Sequence, residues 1–211
     1  MKTLTSYNEI AGRNLERLTA LSDGVFAIAM TLLVLDLKIP MTAAIHTEGD
    51  LWQALVALSP RLITYLMSFL TLGIFWVGHQ TGMHQYGRGN RHLTWITLAF
   101  LCAVTFVPFT TALLAEHIDL RLALLIYWFN LVLLGNLLLA SWIYAYRAGL
   151  MKEENCYEIY FAVKRRIIMG QALYALGALL CIFNTSWSIG FIVLVQLNFA
   201  LAPKLKGVSR I

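Results

Sequence analysis

The chain is 211 residues long, 59% hydrophobic and only 13% charged, with a formal net charge of +5 and a mean hydropathy of +0.70. Soluble domains carry about 25% charged residues, and a globular core cannot absorb this much apolar surface, so composition excludes a soluble fold and requires an integral membrane protein. In a soluble chain the positive balance would suggest nucleic acid. Here it points to basic loops on one side of a membrane, with the lipid bilayer as partner and no nucleic acid.

Taken in order, the sequence predicts six apolar spans in one all-α domain. Residues 1–16 are polar, have no apolar core and argue against a cleaved signal peptide. The first span covers 18–39 and ends at Pro40. The second covers about 54–78, and its start is ambiguous. Asp50 followed by Gln53 resembles a capping box, whereas Ser59-Pro60 offers a cap with proline in the first turn. Either a short helix precedes the span or Pro60 kinks a longer one. The span ends at Gly78-His79, and the glycine-rich basic stretch 80–91 reads as a loop. The third span, 93–115, is interrupted by Pro108, whose kink is most simply satisfied by the hydroxyls of Thr110 and Thr111. The fourth covers 122–146, and a long polar segment after it reads as a loop plus an amphipathic helical piece. The fifth and sixth, 167–183 and 189–202, are short and flank a turn, NTSWS.

Basic residues set the orientation. Arg88 and Arg91 lie in the second loop, Arg147, Lys152, Lys164, Arg165 and Arg166 in or beside the fourth, and Lys204, Lys206 and Arg210 in the tail. The positive-inside bias then puts both termini in the cytoplasm. Cys102, Cys156 and Cys181 are scattered and show no metal spacing. Enzyme signatures (HExxH, a phosphate loop, GxSxG) and a TVGYG-like filter are missing, so neither a catalytic residue nor a cofactor is expected.

The chemistry concentrates in the first span, RLTALSDGVFAIAMTLLVLDLKIP. Ile28, Leu32 and Leu35 stand at i, i+4 and i+7, in one line on a helix. Asp23 lies about 140° away from Ile28 on the wheel. The aliphatic line fits either ordinary packing or a narrow apolar pore wall. An acid inside a membrane helix costs several kcal/mol on low estimates and normally faces protein or water. Asp23 is therefore either an assembly residue or a proton or ion site. Trp76 and His79, at the end of the second span, could reach Ser22 or Asp23. They could equally be an interfacial aromatic and a loop histidine.

Arg17, three residues, then Leu21-Ser22-Asp23, followed by GVFAIAMTLLVL, resembles the signature of the endosomal and lysosomal potassium channels, the transmembrane protein 175 family. That signature has Phe where this chain has Leu21. FWVGHQ at 75–80 and VPFTTALL at 107–114 also look like family segments. The resemblance implies a homotetramer of six-helix subunits in the cell membrane, with the first helix of each lining a central pore that conducts potassium ions. It implies that Ile28, Leu32 and Leu35 form the constriction and Thr31 a hydroxyl layer beside it. It further implies that Arg17, Ser22 and Asp23 join Trp76 and His79 in a network holding the first helix to the second. The runner-up is a proton-coupled secondary transporter using Asp23, and a third reading is a membrane scaffold.

Overall fold

A computed structural model describes residue 12 and residues 14–38, 45–152 and 156–201, and every one of its long elements is helical. Pro40, most of the first loop, and the basic residues at both ends that contribute to the topology lie outside the described residues. Helix α1 (Leu15–Leu33) is capped by Asn14, whose side chain accepts from the Arg17 N–H at 2.9 Å. It tightens into a 3-10 turn over Val34–Asp36, and Arg61 donates to the Asp36 carbonyl at 3.3 Å.

Helix α2 (Glu48–Ala57) resolves the ambiguous start of the second span: a short helix precedes it. The cap is Thr47, not Asp50. The Thr47 hydroxyl accepts from the Asp50 N–H at 3.1 Å, and the Asp50 carboxylate accepts from the Thr47 N–H at 2.9 Å. The true box thus sits three residues earlier in the chain than Asp50–Gln53 suggests. The Thr47 side chain, then the His46 and Thr47 N–H groups, hold the Asp50 carboxyl below the usual carboxylate range. Its folded pKa is depressed, so the stabilisation is full above the unfolded value of about 4 and fades as pH falls through the folded one. Corrected amide-exchange protection in α2 should therefore drop on acidification, and Asp50→Asn should remove most of that pH dependence.

Helix α3 (Ser59–Gln85) begins with Pro60 in its first turn and runs well past Gly78-His79. Residues 80–85 are helix rather than loop. His79, Gly82 and Met83 extend the buried face of Phe75, so the local glycines serve packing. A Cβ at Gly82 would lie 3.1 Å from the Tyr86 hydroxyl and 3.3 Å from Trp142 Nε1. Tyr86 donates to Ser141 at 3.2 Å, and burial pushes its phenol far above the ordinary range, so it stays protonated. Gly87 N–H donates to the Leu150 carbonyl at 2.8 Å, tying this end of α3 to the chain just beyond the fourth span.

The third span is two helices, α4 (Arg91–Thr105) and α5 (Val107–Glu116), with Pro108 opening the second. Both threonines bond the Val107 carbonyl, Thr110 at 3.1 Å and Thr111 at 2.7 Å. Hydroxyls alone do not satisfy the break. Asn130 of α6 (Arg121–Arg147) spans it. Oriented by its partners, the amide donates to the Ala103 carbonyl at 3.2 Å and accepts from the Val107 N–H at 3.3 Å. Asn130→Ala would strand the buried Val107 N–H, at roughly 1–3 kcal/mol, while the Ala103 carbonyl keeps the Phe106 N–H as a donor at 3.3 Å. We expect a clear loss of folded protein and a lower Tm in detergent, with Asn130→Asp intermediate because it keeps the acceptor.

Helix α7 (Cys156–Leu179) ends in a 3-10 turn at Leu180–Ile182, and α8 covers Thr185–Leu201. The polar piece before the fifth span is one continuous helix with it, starting at Cys156 rather than Ile167. Lys164, Arg165 and Arg166 end the hydropathy but not the helix, since long basic side chains can keep their heads in water. NTSWS is largely the first turn of α8, with Asn184 accepting from the Ser186 N–H at 2.7 Å. Among the described residues five segments are long and apolar enough to cross a membrane: 15–36, 59–85, 91–116, 121–147 and 156–182. The apolar α8 is shorter.

A buried polar chain stitches the bundle. Gln196 of α8 donates to Thr71 at 2.7 Å, Thr71 lies 2.9 Å from the Tyr127 hydroxyl, and Thr111 donates to Ser68 at 2.7 Å. Hydroxyls and amides paired this way reduce the penalty of bare polar groups in an apolar interior, although Gln196 Oε1 is left without a partner among the described residues.

Candidate functional site

Helix α1 divides into two faces. Leu18, Ser22, Phe26, Ala29 and Leu33 form its buried stripe, at helical spacing. This stripe seats the helix against α3, α4 and α5. On the other side Ile28 is 61% exposed, Leu32 44% and Leu35 67%. Thr31 is also exposed, and its hydroxyl donates to the Ile28 carbonyl at 2.8 Å. The aliphatic line is therefore not core packing within the subunit. Val34, nominally off this line, is exposed as well. The exposed arc is broad, and the helix tightens to three residues per turn from Val34 onward.

Ser22 and Asp23 meet α3 at one level. Trp76 Nε1 donates to Asp23 Oδ1 at 2.9 Å, and Gln80 Nε2 donates to the same oxygen. Trp76 and Gln80 are four residues apart, hence stacked on one face of α3. Ser22 is fully buried and donates to the Leu18 carbonyl at 2.8 Å. Its oxygen lies 3.0 Å from His79 Nε2. Because the hydroxyl proton is committed to Leu18, Nε2 must carry the hydrogen and donate. The His79 ring packs against Phe26 of α1 and Phe100 of α4, with centroids 6.4 Å and 5.1 Å away, and those two rings are themselves 6.0 Å apart, so the three form a triangle.

The structure thus brings Ser22, Asp23, Trp76 and His79 together. It does not bring in Arg17, which is exposed in the first turn and whose side chain has no hydrogen bond or ion pair among the described residues. Arg17 falls within about 20° of Ile28 on the wheel, on the outward face. Gln80 was not singled out from the sequence. Its signal was its spacing from Trp76. Leu21, where the family signature has Phe, is exposed beside the pair. No group of three or more His, Cys, Asp or Glu side chains able to hold a metal occurs among the described residues.

Comparisons with known proteins take in this region and most of the chain. Residues 17–108, from Arg17 through α3 and α4 to Pro108, match the family described as endosomal/lysosomal potassium channel TMEM175. A potassium channel of Chamaesiphon minutus is 33% identical over 88% of this chain and 93% of its own length. One from Streptomyces collinus is 45% identical over 48% of each chain. The human endosomal/lysosomal proton channel TMEM175 is 25% identical over 97% of this chain, which spans 40% of that protein. A crystal structure of a lysosomal potassium-selective channel TMEM175 homologue from Chamaesiphon minutus superposes with a TM-score of 0.79 at 29% identity, covering 90% of this chain and 98% of that one. Sequence and fold agree over nearly the whole length, and the chain belongs to the TMEM175 family of ion channels.

Proposed function

We propose that this protein is a potassium-permeable cation channel of the cell membrane, a homotetramer whose central pore is lined by α1. In this reading α8 crosses the membrane as a sixth span. The observation that carries the reading is the exposed aliphatic face of α1, set opposite a stripe that the subunit buries completely. In a membrane an exposed apolar face meets either lipid or protein; membership of a channel family favours protein, and in a tetramer the face meets its own copies around an axis. Ile28, Leu32 and Leu35 then stack as rings of four. Apolar rings exclude water unless they dilate, and hydrophobic constrictions gate by dewetting. Potassium sheds water more readily than sodium, so a tight apolar passage favours it modestly. Thr31 adds a ring of hydroxyls beside the constriction. Ser22 and Asp23, held by Trp76, Gln80 and His79, latch the pore helix to α3.

Recordings from purified protein in planar bilayers test this. Unitary currents that reverse near the potassium potential support it. Slow flux with no unitary steps, driven by a proton gradient and lost in Asp23→Asn, would establish a carrier instead. Topology is a separate test. The loop charges favour cytoplasmic termini, and in that orientation Thr5→Cys and Val208→Cys should resist impermeant thiol reagents applied outside intact cells. Labelling of either one would overturn that orientation.

A further inference from the structure

A second feature lies away from the outward face of α1. Helices α3, α7 and α8 enclose an apolar groove of about 740 Å³. Its walls include Phe69, Gly73 and Val77 of α3, Ile167 and Gly170 of α7, and Phe199 of α8. From Phe69 to Thr81 the α3 wall is about 18 Å long at 1.5 Å per residue. One leaflet contributes about half of a roughly 30 Å hydrocarbon core, so the groove matches one leaflet in depth. In its wall Thr81 donates to the Val77 carbonyl at 2.8 Å and Gln171 to the Leu131 carbonyl at 3.3 Å, while the buried Tyr174 hydroxyl and Gln171 Oε1 have no hydrogen-bond partner among the described residues. Arg166 is the one charged residue of the lining. Its guanidinium lies 5.4 Å from the Phe199 ring centre and has no ion pair among the described residues. Arg165 and Lys164 precede it at the same basic end of the bundle.

An apolar slot one leaflet deep, with a cation in its wall toward the basic end that has no ion pair among the described residues, is complementary to a single chemistry. We infer that the groove between α3, α7 and α8 holds an acyl chain of an anionic phospholipid, with the lipid phosphate at Arg166. The headgroup level suits snorkelling arginine, and a basic cluster beside a span attracts anionic lipid. The occupant lies against Trp76, which lines the groove and also donates to Asp23, so the site abuts the α1–α3 junction.

The test needs no ion flux and is independent of the channel reading. Wild type, Arg166→Gln and Gly73→Leu are reconstituted in vesicles of phosphatidylcholine and phosphatidylglycerol, re-extracted, and their bound lipid counted by mass spectrometry. A Cβ built at Gly73 meets nothing within 4 Å, so leucine there fills the groove without a backbone clash. Wild type should retain phosphatidylglycerol over phosphatidylcholine. Arg166→Gln should lower that preference about five-fold, the equivalent of roughly 1 kcal/mol per basic residue at a membrane surface. Gly73→Leu should lower retention of both lipids while the protein stays folded by circular dichroism. Equal retention in all three proteins would overturn the inference. So would efficient crosslinking of Gly73→Cys to a neighbouring subunit, which would put a second copy in the groove, or recovery of free fatty acid in place of phospholipid.

Discussion

Ile28→Asn should raise unitary conductance severalfold and move the bi-ionic reversal potential toward equal permeation of potassium and sodium. The side chain is exposed on the face of α1 that the subunit leaves uncovered. In a tetrameric ring an amide there meets water and ions, and a wettable ring no longer dewets the passage. Leu32→Asn should act in the same direction and more weakly, since Leu32 is the less exposed of the two and sits toward the edge of the arc. Leu33→Asn is the informative control. Leu33 is fully buried, and an amide there lacks a partner and leaves poor packing, at roughly 2–5 kcal/mol. That variant should lose folded protein, and its surviving channels should permeate normally. Val34, being exposed, does not serve as a packed control. Unchanged permeation in well-assembled Ile28→Asn and Leu32→Asn would sink the pore assignment.

Asp23→Ala should reduce tetramer yield or open probability and leave the reversal potential nearly unchanged. Asp23 lies at the edge of the outward arc, and its Oδ1 collects donors from Trp76 and Gln80 on α3. Hydrogen bonds to a charged acceptor contribute roughly 1.5–3 kcal/mol where shielded from water. Exposure of Asp23 places its share below that range. Asp23→Asn keeps an acceptor oxygen and should be milder. Ser22→Ala attacks the same junction from its dry side, leaving the buried His79 N–H without an acceptor, and should reduce folded protein. Tetramer yield by size exclusion and reversal potential measured in parallel decide the matter. Normal assembly and gating with altered selectivity would mean that Asp23 faces the ion path.

Hydropathy and period, both local properties of the chain, determined the class of this protein, the approximate place of its apolar segments and the common face of Ile28, Leu32 and Leu35. That Asp23 required a partner was legible too, because an unpaired acid is costly in hydrocarbon whatever the fold. Helix ends were less legible. Hydropathy reports how deep a residue sits, whereas a helix continues wherever its backbone stays paired. The extensions of α3 to Gln85 and of α7 back to Cys156 therefore escaped a reading by polarity. Only the tertiary structure decided who touches whom. Asp23 and Trp76 are 53 residues apart in sequence, and Asp23 and Gln80 are 57. No periodicity within one helix specifies the rotation of another about its own axis. That rotation turned Trp76 and Gln80 toward Asp23, packed His79 against Phe26 and Phe100, and set Asn130 across the break at Pro108. Arg17 stayed outside the network for the same reason: its side of α1 is the one that no helix among the described residues covers.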